Sequence, residues 1–219
     1  MKNFNRTLLL LAVFLCAGYA AAQVPEKDTQ SWTDIQLTIP MTKQVDFLLL
    51  GHFRIGDNIT GLVDRRFGFG FNYKHGKYLT LSQSLMLRDA TPPNGRPERE
   101  QRLALAATVK FPLGKFSLSD RNQFERRFRA PQTDFWRYRN RVQLEHPFIL
   151  GKKKFNFFIS EEVFYDFLVD DWVRNRASIG AGHAFNKHFT GELYYLRQND
   201  GRSRPGDLHV IGTALRFKL

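Results

Sequence analysis

Along most of this chain apolar residues recur at every second position. In YLTLSQSLMLR, Leu79, Leu81, Leu85 and Leu87 share one side of an extended strand, opposite Thr80, Ser82, Ser84 and Arg88. In QRLALAATVKF, Leu103, Leu105, Ala107, Val109 and Phe111 oppose Arg102, Ala104, Thr108 and Lys110. The stretch RRFGFGFNYK sets Phe67, Phe69, Phe71 and Tyr73 against Arg66, Gly68, Gly70, Asn72 and Lys74. Successive side chains of a strand point to opposite faces, so these runs predict strands with one apolar and one polar face. About eleven such segments follow one another: roughly 32–40, 44–55, 62–74, 77–88, 99–111, 115–129, 133–146, 154–166, 172–185, 189–198 and 207–219. No run of period 3.6 and no domain linker interrupts them.

The breaks between segments come in two sizes. KHGK, FPLGK and FNKH are tight, whereas DATPPNGRPE and QNDGRSRPGD are long, polar and rich in proline and glycine. Alternation of short and long connections fits an up-and-down antiparallel transmembrane β-barrel with periplasmic turns and extracellular loops. The expected fold is therefore all-β, a barrel of about 10–12 strands. Single-chain bacterial barrels have even strand numbers, so a count of eleven suggests that WTDIQLTIP lies against the barrel without closing it, or that one strand is missing. A soluble barrel would show the same alternation with the apolar face inward. Rings at strand ends (Tyr73, Phe111, Trp136, Phe185) and small residues on the polar face (Gly68, Gly70, Ala104, Ala106, Gly180, Gly182) favour the membrane form. Asp120, Asn122, Arg126 and Glu161 fall on the apolar face, where a bulge or an early strand end would be needed to move them off lipid.

The first residues change the picture of location. Lys2 and Arg6 precede the apolar run TLLLLAVFLCAG and then Ala20–Ala22, the layout of a secretory signal peptide over 1–22, which leaves 23–219 as one domain. The residues before Cys16 (Val13, Phe14, Leu15) are too large for a lipoprotein site. Removing this segment removes the only cysteine, so disulfides cannot hold the mature chain together. It also takes away two cationic and no acidic residues, lowering the net charge from +12 to +10. The basic residues are spread along the chain without a long block, which argues against a nucleic-acid partner. At the other end, Gly212, Leu215 and Phe217 in VIGTALRFKL give the spacing G-x-x-Φ-x-Φ, similar to the signal read by the β-barrel assembly machinery, although here the aromatic lies two places before the end.

SWTDIQLTIPMTKQVDFLL, FWRYRNRVQLE, SEEVFYDF followed by DWVRNRASIGAGHAF, and LYYLRQND with His209 together resemble the family known as domain of unknown function 2490. The resemblance runs over nearly the whole mature chain. It implies an outer-membrane β-barrel of a kind frequent in Bacteroidota, and it implies no activity or catalytic residue.

Chemistry is sparse. None of the six histidines stands in a His-x-Ser pair, which neighbours on one strand face would need in a lipid hydrolase of this architecture, and no metal-ligand spacing occurs. No cofactor is expected. A hydrolase would have to assemble its triad across strands. The charged ladder carries more content: Arg137, Arg139 and Arg141 share a face with Glu145; Arg174 and Arg176 share another; Arg121, Glu125, Arg127 and Arg129 a third; and Glu162 and Glu192 point the same way. Charges inside a narrow barrel must pair or remain hydrated. The expectation is a monomeric barrel of the cell outer membrane, in contact with its lipids, with a salt-bridged and largely closed lumen in which Arg137, Arg139, Arg141, Arg174 and Arg176 pair with Glu145, Glu162 or Glu192. A narrow, arginine-lined, anion-preferring channel is the first alternative, an outer-membrane hydrolase acting on lipid or lipopolysaccharide the second, and a secreted polyanion-binding β-protein the third.

Overall fold

A computed structural model describes residues 27–91, 97–203 and 205–219. The leader assigned to 1–22 lies outside them. Eleven strands follow in order: β1 (Lys27–Pro40), β2 (Val45–Gly56), β3 (Gly61–His75), β4 (Leu79–Ala90), β5 (Glu98–Leu113), β6 (Phe116–Phe128), β7 (Phe135–Leu150), β8 (Lys153–Asp166), β9 (Asp171–Ala184), β10 (Phe189–Asp200) and β11 (Asp207–Lys218). Each pairs with its predecessor in antiparallel fashion, and β1 closes the barrel on β11. All eleven predicted segments are strands.

The parity expectation is corrected by the closing seam. β1 and β11 run parallel, from Lys27 opposite Asp207 to Thr38 opposite Lys218, and a parallel seam is what an odd number of meandering strands requires. WTDIQLTIP is thus part of the wall. Its strand begins five residues before Trp32, in a polar stretch whose register is fixed by pairing with β2 and β11.

The apolar face points outward. Phe67, Phe69, Phe71 and Tyr73 all stand exposed on the outside, and Phe47 packs between Phe69 and Phe71 with centroids 6.4 and 5.2 Å away. At the rim of short turns, the rings of Phe185, Phe189 and Phe217 stack in a row at 5.0 Å spacing. A soluble barrel with its apolar face inward would bury these residues, and here they stand outside. The expected bulge in β6 does not occur: its register on β5 and β7 is continuous, and the register shifts fall at Arg54/Ile55 and Phe164/Tyr165. Asp120 and Asn122 stay outward and are satisfied sideways instead. Asn140 donates to Asp120 at 2.6 Å and to Asn122 at 3.1 Å, and the Tyr138 hydroxyl also donates to Asn122. Hydrogen bonds within the outer face lower the cost of polar groups there.

Inside, glycines receive rings from neighbouring strands. One row of register partners reads Phe158, Gly180, Tyr194, Gly212, Trp32 and Arg54, crossing from β8 to β2. A Cβ on Gly180 would meet Phe158 at 2.7 Å, and one on Gly212 would meet the Tyr194 ring at 2.0 Å. The aromatic side chains lie flat across adjacent strands because nothing rises beneath them.

Candidate functional site

The lumen holds a polar cavity with a volume of about 900 Å³. Parity along each strand decides which side chains reach it. Even positions face inward on β1 to β5 and β8 to β11, except Leu62 and Trp172 beside the two register shifts, and odd positions do so on β6 and β7, where the tight turn at Gly114–Lys115 changes the phase. Gly114 has a φ of +63°, which suits a residue without a Cβ.

The half of the lumen nearer the long loops is crowded with ion pairs. Glu100 lies buried between Arg127, which donates to it at 2.5 and 2.6 Å, Arg102, and Arg88 at 3.8 Å. Asp64 binds Arg66 and Arg88, each at 2.6 Å. Arg139 bridges two acids: its guanidinium reaches Glu125 at 2.6 Å and Glu162 at 2.7 Å. Rings separate these pairs. Arg54 stacks over Trp32 at 3.9 Å from the centroid, Arg176 lies over both Trp32 (4.9 Å) and Phe164 (4.8 Å), and Arg139 covers Phe164 at 4.8 Å. The sequence Arg54, Trp32, Arg176, Phe164, Arg139 therefore links β2 and β1 to β9, β8 and β7, forming a partition of alternating guanidinium and aromatic planes. Such stacks gain from the attraction of cations to ring faces when water is excluded. An apolar cluster of Trp32, Leu196, Leu208 and Val210, packed against Tyr194, fills the side beside the seam.

Toward the short turns the lumen wall is built of smaller side chains. The wall there carries Thr80, Ser82, Ser84, Ala104, Ala106 and Thr108, and charged side chains are exposed: Lys110 at 55% and Arg216 at 45%, compared with 1% for Glu100. Small residues leave space there, and the lining of the same cavity continues past the guanidinium and ring stack to Gln198, Ser203 and Pro205 on the loop side.

Every residue of the predicted ladder except Arg129 sits on an inward strand position, but several pairings differ from expectation. Glu162 does meet Arg139, with Arg121 at 3.6 Å and Arg176 at 3.8 Å. Glu145 instead lies beside Gln143 and Lys110, the latter at 3.8 Å, and Glu192 pairs with Arg216. Arg137 takes Asp166 and Arg174 takes Asp200, acids at strand ends that alternation alone did not single out. Arg127 binds Glu100, Glu125 binds Arg139, and Arg141 reaches only the Gln143 amide. Arg129 has left the strand and donates to the Thr133 carbonyl. Glu100, Asp64, Arg54 and Trp32 were missed as members of the network, although their parity matched that of neighbours already placed inward.

Gly212, Leu215 and Phe217 divide between the faces. Gly212 is inward under Tyr194, while Leu215 and Phe217 are outward. No group of His, Cys, Asp and Glu able to hold a metal occurs among the described residues.

No curated protein matches this chain. Among solved structures, an anion-selective porin from Comamonas acidovorans is similar at 17% identity, covering 80% of this chain and 54% of that one with a TM-score of 0.40. This chain thus spans about half of that porin's length. A family model matches residues 29–209, and on that extent the chain belongs to the family described as Protein of unknown function (DUF2490).

Proposed function

We propose that the protein is an outer-membrane barrel sealed on its loop side, which holds a cationic, water-filled chamber open toward the periplasm and does not form a through-pore. The observation that carries this reading is the guanidinium and ring partition of Arg54, Trp32, Arg176, Phe164 and Arg139. The outward apolar band supports contact with outer-membrane lipid, and the short turns beside the chain's last strand support a periplasmic mouth. Purified protein in planar bilayers should show no steady conductance. Trp32→Ala combined with Phe164→Ala should open an anion-favouring current, because cations line what remains. A stable single-channel conductance in the parent would overturn the sealed reading and leave the anion-preferring channel, which the excess of arginine over acid along the cavity favours.

Assembly makes a separate demand on the same chain. Phe217 stacks on Phe189 at the turn rim, so its outward ring both anchors the barrel near the interface and ends the segment offered to the assembly machinery. Phe217→Asp should cost about 1–2 kcal/mol through lost stacking and charge placement. It should also reduce the heat-modifiable, folded fraction in outer-membrane preparations. Unchanged folded levels would remove Phe217 from any assembly role.

A further inference from the structure

The partition leaves positive charge without partners, and the excess has a defined place. Thirteen cationic side chains line the cavity, against five acidic ones. Most of the arginines described above are matched by carboxylates, including the buried Glu100, but Arg54, Arg121, Arg141 and Arg176 form no hydrogen bond to any carboxylate among the described residues.

Arg121 and Arg141 are direct register partners on β6 and β7, and both point inward. Like charges placed directly opposite one another on a sheet repel. The row continues through Glu162 to Arg176, so three arginines stand in one row with a single carboxylate, and that carboxylate is already hydrogen-bonded to Arg139. Arg54 is a second, independent sign. Its guanidinium lies on the Trp32 ring, and its Nε is buried with no hydrogen-bond partner. The hydroxyl of Tyr194 donates to Asp34 at 3.4 Å, and Arg54, Arg141 and Arg176, from three separate strands, line the same cavity as Tyr194.

We propose that this space, where the chamber meets the partition, is a binding site for a multiply charged oxyanion held by Arg121 and Arg141 on one wall and by Arg54 and Arg176 on the other. Guanidinium forks suit phosphate and carboxylate oxygens, and an anion there would supply both the missing acceptor for Arg54 and the missing counter-charge between Arg121 and Arg141. Ser82, Ser84 and Thr108 line the cavity on its turn side with small polar side chains. This inference needs only the chamber and is independent of whether the barrel conducts.

Trp32 provides the readout because Arg54 covers its ring. In a Trp136→Phe/Trp172→Phe background it is the sole tryptophan, the other two facing outward. Detergent-solubilised full-length protein is titrated with phosphate, and separately with succinate, against sodium chloride at constant ionic strength. A saturable change in Trp32 emission is expected with at least one of the two and not with chloride. Phosphate alone would assign a phosphoryl group, succinate alone a dicarboxylate, and both the shared chemistry. Arg121→Gln/Arg141→Gln should weaken binding at least tenfold, whereas the outward Arg197→Gln should leave it unchanged. Should the double variant fail to fold, Arg121→Lys and Arg141→Lys, which keep the charge and lose the fork, should each weaken binding severalfold. The parent's folded state should also be stabilised by the bound anion, giving a higher unfolding temperature than in chloride. Identical, non-saturating responses to all three salts, or full binding by the folded lysine and glutamine variants, would overturn the proposal.

Discussion

Replacing Glu100 with glutamine is expected to lower the stability of the detergent-solubilised barrel by about 3–5 kcal/mol, the usual cost of removing one partner from a buried ionic cluster. Its side chain is 1% exposed and it holds Arg102 and Arg127 directly with Arg88 nearby, so the substitution leaves guanidinium charge facing a neutral amide where little water can enter. Glu145→Gln is the internal comparison. That side chain is 25% exposed, its nearest cation is Lys110 at 3.8 Å, and its loss should cost under about 1 kcal/mol. Denaturant unfolding of both variants, followed by gel mobility and tryptophan emission, gives the two numbers. Equal, small losses would mean that water reaches the loop-side half as freely as the chamber, and the partition would then not exist as a dry structure.

Gly212→Ala should be nearly as damaging, for a reason that the C-terminal spacing did not suggest. The added methyl would lie 2.0, 2.2 and 2.6 Å from three carbons of the Tyr194 ring, so the whole ring has to move. Its displacement is obstructed because Tyr194 Cβ already sits over Gly180, which in turn carries Phe158. Overpacking of this kind costs about 1–3 kcal/mol. The double variant Gly212→Ala/Tyr194→Leu discriminates between roles. If Gly212 serves packing, shortening Tyr194 should recover much of the loss, with a coupling of roughly 0.5–3 kcal/mol in the cycle. If Gly212 is read as part of an assembly signal, the double variant should be as poorly assembled as the single one.

The existence of the strands and the face that each residue takes were legible because alternation is local: a residue's parity relative to its neighbours needs no knowledge of the rest of the barrel. The pairing of charges was not, because it depends on register between strands. Arg137 meets Asp166 only because β7 and β8 are offset so that these two residues are opposite, and no property of either strand alone states that offset. Glu145 was placed with the arginines of its own strand for the same lack of information. Trp32 was misjudged differently. Its segment is short and polar at its start, and its place in the wall depends on pairing with residues about 180 positions later in the chain. Leu208 and Val210 belong to the last segment, where the spacing drew attention only to Gly212, Leu215 and Phe217. The former two turn out to fill the lumen, where apolar packing beside the seam replaces the polar lining seen elsewhere.

The parallel seam has a consequence for rearranging the chain. In a barrel with an even number of strands, first and last residues emerge at the same rim, and a few added residues could join them. Here Lys27 stands at the rim of long loops and Lys218 at the rim of short turns, with twelve paired residues of β1 and β11 between the two levels. At about 3.3 Å per residue, a linker joining them would have to climb roughly 40 Å. It would have to pass either through lipid, where its unpaired backbone is not tolerated, or along a lumen that the partition already occupies. A circular permutant of this barrel is therefore expected to be topologically unfavourable wherever the new break is made, and the order of the strands along the gene is tied to the odd closure of the wall.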